Sequence, residues 1–449
     1  MKLRTLLIPA VVCSVGMSNL QATSLKNVVS DVLNTNPIVI ERLKNYKATR
    51  EEVDIAQAGY YPTLDLQSAA GKKYTGRISN DVAKETYDVF QNSLILRQNI
   101  FQGFGTEEQV NYQKMRTLSA SYSYLETAND VTLRTIKVYL DLYREQELLQ
   151  NSKVNVEHLE KLYTKVKKAH GAGLTTLSEV SKIQSSLSLA KSNVMVQKNK
   201  LANAKFNFRR VTGRLISLKS MQKVKFNLDL PKSLHKATAY ALEYNPSLLV
   251  GKYNIKGAEA LYRESKSAFF PKVDLEIAGN YNDNFDEFYG KDDRVQGMVV
   301  VSYNLFNGGA DEAARRNKLS KLSQEVELTN DLKRQVEEGM GLSWASYQLA
   351  LDQMPFLREY KKQSKGTLGL YIKEYDLGER SLLDLLATEN DLKRANDELI
   401  NAKYNLLFSK YRIIDAMGLT MASIMGDTKK YYQRVGIHGN KRVSTRKKH

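Results

Sequence analysis

Tyr375-Asp-Leu-Gly378-Glu379-Arg380-Ser381-Leu-Leu-Asp384 gathers a phenol, a guanidinium, a hydroxyl and carboxylates around one glycine. These groups can form hydrogen-bonded and ionic links, and they can cap helices. Gly378 suits the left-handed residue that closes a helix. Ser381, with Asp384 three residues on, suits an N-cap followed by an acid in the first turn of a new helix. The same grammar stands 205 residues earlier (378 minus 173) in Gly173-Leu174-Thr-Thr176-Leu-Ser178-Glu179-Val180. On spacing alone, these are two helical hairpins turning at matched points. Bond-making chemistry has no comparable signal. The five histidines (His158, His170, His235, His438 and His449) lack metal-ligand spacing, and neither a P-loop nor a G-x-S-x-G is present. The chain therefore reads as no enzyme, with no cofactor and no metal. His170, beside the first turn, suits a cation at a helix C-terminus, and Trp344 suits a helix-packing knob.

The elements that carry these turns follow from composition. Seven prolines in 449 residues leave long uninterrupted runs for helices. The formal charge of +18 is uneven: Asp427 to His449 holds eight Lys or Arg against one Asp. No basic face with interleaved aromatics speaks for nucleic acid. Residues 1–22 read as a secretory signal peptide, with Lys2 and Arg4 before an apolar run and Leu20-Gln-Ala22 at its end. The only cysteine, Cys13, lies inside that run, so its removal leaves no thiol.

Beyond the signal the chain is written twice. Asn36-Pro37 is answered by Asn245-Pro246, and Tyr60-Tyr61-Pro62 by Phe269-Phe270-Pro271. Asn99-Ile-Phe101-Gln-Gly103 is answered by Asn304-Leu-Phe306-Asn-Gly308, and Gly213 by Gly418. Such regular matches mark an internal duplication. The first repeat, 23–218, holds a helix, a strand hairpin at 62–100 and a long helical hairpin at 106–213. A connector at 219–231 follows, and Lys223–Leu230 alternates as a short strand would. The second repeat, 232–426, has its strand hairpin at 271–305 and helical hairpin at 309–418. The basic tail at 427–449 reads as disordered. Thr106 to Ala169 has hardly a break, and at ~1.5 Å per residue it predicts a rod of roughly 95 Å.

Four strands of about 9–11 residues suit a tilted membrane hairpin pair. Val295, Val299, Val301, Tyr303 and Leu305 form one apolar row, and Phe90, Leu94, Leu96 and Ile100 another. Tyr60, Tyr61, Phe101, Phe104, Phe269, Phe270 and Phe306 flank the strands where they meet helices. They suit either an interfacial aromatic girdle or the packing of a strand–helix corner. An open sheet edge cannot sit in lipid, and four strands cannot close a barrel. Several copies must then share one barrel: two would supply eight strands and three would supply twelve.

The duplicated Asn-Pro, the aromatic pair before proline, Asn304-Leu-Phe306-Asn-Gly-Gly309 and the twin turns together resemble the TolC-like outer-membrane channels. These serve Gram-negative efflux and type I secretion. The likeness runs from Thr23 to about Met421. It implies a mainly α fold with a membrane portion: a homotrimer whose 12-stranded β-barrel, four strands per chain, continues into a trimeric α-barrel of coiled-coil helices crossing the periplasm. It also implies a passive duct in the outer membrane of a Gram-negative bacterium, in contact with outer-membrane lipid. An inner-membrane ABC transporter or pump would supply energy through a periplasmic adaptor (membrane fusion) protein. Position by position, Ser178, Glu179, Tyr375 and Arg380 would be gate links, with Glu179 and Arg380 an ion pair of opposite sign on adjacent turns. Asp384 would form a constriction ring, and Gly173, Leu174, Gly378 and Glu379 would be adaptor-docking turns. A second acid common one turn later is Ala387 here. Secreted protein is the cargo placed first, and multidrug or small-molecule efflux is the alternative. A periplasmic adaptor is the alternative of another class, although adaptors show one helical hairpin where two recur here.

Overall fold

The computed structural model describes residues 24–75, 85–215, 217–284 and 290–426. The signal-peptide reading, the basic tail and most of the first strand-hairpin tip lie outside them. Helices α1 (Leu25–Thr35) and α2 (Pro37–Gln57) are parted by Asn36, whose side chain accepts from the Ile38 amide at 3.0 Å. Pro37 then sits at the first helical position, where its missing amide costs nothing. The second repeat does the same: Asn245 accepts from Ser247 N at 2.9 Å between α5 (Leu234–Tyr244) and α6 (Pro246–Glu264). The duplicated Asn-Pro is thus one device for restarting a helix, used twice.

Strands β1 (Thr63–Thr75), β2 (Glu85–Gln102), β3 (Lys272–Asp283) and β4 (Lys291–Ser302) form one antiparallel sheet in that order. Residues directly opposite in an antiparallel ladder share a face, so the register sorts the side chains. Leu64 pairs with Leu96 and Leu96 with Ile277, while Leu66 pairs with Leu94 and Leu275 with Val299. That face is apolar and exposed. Gln67, Ser93 and Asn280 lie on the other face, with Arg97 and Glu276, which pair in register and form an ion pair at 3.1 Å. Met298 and Val300 interrupt this polar face. A bulge between Asn99 and Phe101 shifts the end of β2, and Tyr303 and Leu305 fall beyond β4.

The long helices are α3 (Gly105–Gly171), α4 (Leu177–Thr212), α7 (Ala310–Asp376) and α8 (Leu382–Ala416), with a short α9 (Thr420–Met425). Pro355 is accommodated inside α7. Buried positions on α4 run Val180, Ile183, Leu187, Ala190, Val194, Gln197, Leu201, Ala204 and Phe208. These alternating steps of three and four are a coiled-coil heptad. The one polar member, Gln197, donates to buried Glu145 at 2.6 Å.

The chain divides into two compact units, one from 1–32, 135–227 and 361–404, the other from 33–134, 228–360 and 405–449. In the first, Leu159 and Val166 of α3 pack with Ile183 and Leu187 of α4 and with Leu382 and Leu386 of α8. The second contains the sheet and a core of Ala237, Ala241, Met340, Ile413 and Met417, with Trp344 packed against it as a knob. The connector corrects one expectation. Residues 223–230 keep an alternation of exposed and half-buried side chains but form no strand. A ladder needs a free strand edge beside it, and helices such as those that Leu230 packs against offer none.

Asp415 carries a pH dependence. In the second unit its Oδ1 accepts from Thr420 Oγ1 at 2.7 Å. Burial first, then Asp130 nearby, pushes its carboxyl up to about 6. A group whose folded value is raised stabilises fully below its unfolded value, and that contribution is lost as pH rises through the folded one. Asp415→Asn should therefore withstand heating better than the parent at about pH 7.5, by up to ~3 kcal/mol, and show no gain near pH 4. Melting in detergent at both values checks this.

Candidate functional site

Both hairpin turns close by the same backbone bonds. Leu174 N reaches Ala169 O at 2.8 Å and Glu379 N reaches Glu374 O at 2.9 Å. Gly173 and Gly378 sit at φ 73° and 78°. This is the Schellman closure, which requires a left-handed residue at that point. Gly173, Leu174, Gly378 and Glu379 are all exposed, and Leu174 keeps 81% of its surface.

The caps differ between the copies. Ser381 Oγ accepts from the Asp384 amide at 3.2 Å and donates to the Asp384 carboxylate at 2.8 Å, as the sequence predicts. Asp384 is thereby drawn into its own first turn. Thr176 makes no side-chain cap and instead meets Ser178 Oγ at 2.7 Å. Glu179 accepts from Thr175 Oγ1, and His170 Nδ1 lies 3.0 Å from Thr175 O.

Within one chain, the structure places the four residues expected as gate links in two groups. Tyr375 packs against Leu382 and Leu386 and against Leu368 and Leu385. Burial first, then the Glu179 carboxylate, raises its phenol above the ordinary range, so it remains a donor. Arg380 does not reach Glu179. Its guanidinium bonds Glu374 at 2.8 Å and lies 4.2 Å from the Tyr371 ring centroid. The reason is geometric: the closure carries Arg380 back over the last turn of α7, where Glu374 and Tyr371 stand. Lys165 of α3 pairs with Asp376, bringing a second cation to this end of α7. Sequence reading missed Tyr371, Glu374, Asp376 and Lys165. The six-residue step from Glu374 to Arg380 matches no helical spacing, because it crosses the turn.

The aromatics from the two repeats meet. Phe101 and Phe104 stack edge to face at 5.4 Å, and Phe104 and Phe270 at 5.8 Å. Phe104 takes φ 66° to do so. Phe269 receives Arg315 over its ring at 5.9 Å. Tyr60, Tyr61 and Phe306 stay exposed, Phe306 at 85%. No helix among the described residues is long and apolar enough to cross a membrane.

Comparison with known proteins fits this architecture. The profile of a family described as outer membrane efflux protein matches residues 28–214 and 239–419. The outer membrane efflux protein BepC of Brucella suis is 21% identical over 419 residues, 92% of this chain and 88% of BepC. The outer membrane protein TolC of Escherichia coli is 20% identical over 417 residues, 90% and 84% of the two chains. The proteases secretion protein PrtF of Dickeya chrysanthemi is 20% identical over 377 residues, 80% of each. The solved structure of CusC superposes with TM-score 0.79 at 16% identity, over 88% of this chain and 91% of that one.

Proposed function

The chain belongs to the outer membrane efflux protein family, and on that footing we propose that it is the passive exit duct of an export machine, built as a homotrimer. The observation that carries this is the sheet, with one apolar exposed face, one polar face, and outer strands β1 and β4 each paired on one side only within the chain. In lipid both edges must find partners, and further copies of the same sheet supply them.

The glycines before α3 and α7 support a closed ring. Gly103 is packed against Ser267 and Phe270 of the second repeat, whereas its counterpart Gly308 meets nothing in its own chain. The first-repeat counterparts of Ser267 and Phe270 are Ala58 and Tyr61. A neighbouring copy presenting Tyr61 to Gly308 repeats the contact already made inside one chain. Chemical cross-linking in detergent should give a trimer as the limiting species.

The turns at Gly173 and Gly378 are the periplasmic mouth. Tyr375, Glu179, Ser178 and Arg380 hold it narrow, Asp384 lines the constriction, and Gly173, Leu174, Gly378 and Glu379 present the face that an adaptor engages. That adaptor joins the duct to an inner-membrane ABC transporter or pump. Arg380→Ser frees Glu374 and Tyr371, and Tyr375→Phe removes a phenol beside Glu179. Both should raise the resting conductance of single channels in planar bilayers severalfold. Resting conductance equal to the parent's in both variants would sink the gate reading.

Secreted protein is the cargo we place first, supported by the likeness to a proteases secretion protein. Small-molecule efflux is the second reading, supported by the likeness to BepC, an efflux protein by name. Deletion separates them, through loss of a secreted protein or gain of drug sensitivity.

A further inference from the structure

The apolar seam between α3 and α4 has a polar counterpart between α3 and α8. Four α3 residues, Glu147, Asn151, Asn155 and His158, take part in it. Glu147 accepts from Lys403 Nζ at 3.1 Å and from the Tyr404 hydroxyl at 2.9 Å. Asn151 donates to Asp397 at 2.8 Å and to the Lys393 carbonyl at 3.2 Å. Asn155 donates to Glu389 Oε1 at 3.4 Å, and His158 Nδ1 shares a 2.9 Å hydrogen bond with the same oxygen. Glu389 and Asn155 are buried, at 7% and 6% exposure, while the His158 side chain is 44% exposed. Glu389 lies about one and a half helical turns beyond Asp384.

We infer that His158, Asn155 and Glu389 are further positioning residues of the gate, holding α8 against α3 above the turn and holding it more tightly when His158 carries a proton. The inference rests on the gate reading of the turns. A buried carboxylate with only neutral donors keeps a desolvation cost that a charged partner offsets. Histidine is the side chain that ordinarily gains charge between about pH 8 and 5. Of the charged groups at this level, Glu157 pairs with Lys161 on α3, Glu160 with Lys191 of α4, and Lys393 with Asp397 on α8, while Lys153 of α3 and Asp391 and Arg394 of α8 also stand nearby. On the α7 side, Leu368 belongs to an apolar cluster that Leu162 packs against. A positive charge on His158 meets Glu389 directly, at 2.9 Å, and strengthens closure.

The test is the resting conductance of the full-length channel in planar bilayers at about pH 8 and about pH 5.5. The parent should leak less at the lower pH, by about two- to fivefold, the size of a part-exposed ion pair. His158→Gln keeps a donor for Glu389 but cannot switch, so its leak should be flat across this range with melting in detergent unchanged. Glu389→Gln should be flat as well. A His158→Gln channel with the parent's pH profile overturns the inference. So does one that melts lower and leaks more by the same factor at both values, since that marks a structural role. If Arg380→Ser leaks while the parent shows no pH profile, this link fails and the gate stands. If neither Arg380→Ser nor Tyr375→Phe leaks, the gate reading and the inference fall together.

Discussion

Gly418→Ala is expected to cost about 4 kcal/mol or more, the range reached only by severe steric or burial errors, and to empty the outer-membrane fraction of assembled protein. Gly418 stands after α8 at φ 75°, where a side chain is disfavoured by roughly 1–2 kcal/mol before any contact is counted. A Cβ there would lie 2.3 Å from Pro246 Cδ and 3.3 Å from Asn245 Cα. Neither neighbour can yield cheaply. Pro246 is rigid and opens α6, and Asn245 caps that helix while donating to Ala416 O at 3.0 Å. The turn is also held from α3, where Asn129 donates to Gly418 O at 2.8 Å and accepts from Met421 N at 2.9 Å. Gly213, its counterpart in the first repeat, has φ 74° and open space around a built Cβ. Gly213→Ala should carry only the backbone cost and assemble in usable yield. The check is heat-resistant assembled protein recovered from membranes for the two variants side by side. Equal recovery would show that the 418 turn is not held this tightly.

The second large effect is expected at Gly103. Its added Cβ would come within 2.7 Å of both the Ser267 carbonyl oxygen and Phe270 Cβ, at φ 59°. Relief would require moving backbone where β2 passes into α3, and with it Phe104, whose ring bridges Phe101 and Phe270. The loss should again be about 3 kcal/mol or more, seen as failure of the sheet to resist protease in membranes. Gly71→Ala serves as the control, since a Cβ there meets nothing within 4 Å. Protection of Gly103→Ala equal to that of Gly71→Ala would contradict the packing described.

Much of this architecture was legible beforehand because it is governed by local rules. Asn-Pro restarts a helix wherever it stands, and glycine closes one in the left-handed conformation. The apolar rows read in β2 and β4 survive into the register. Lys223–Leu230 marks the limit of such reading. Its alternation of burial is real, but alternation describes a side-chain pattern, and a strand also needs an edge to pair with.

The sequence by itself determined the duplication, the order of elements and the paired turns, and it set the expectation of more than one copy. All of these depend on spacing along the chain or on counting strands. Only the tertiary structure decided who meets whom. Arg380 takes Glu374 and Tyr371, not Glu179, because the turn folds it back over its own helix. Glu389 draws His158 and Asn155 from a helix more than 200 residues away, through a contact that no spacing announces. Gly103 and Gly308, or Gly418 and Gly213, are equivalent as letters and equal in backbone conformation. One of each pair is packed and the other open within a chain, because packing depends on what a neighbouring element brings to the site.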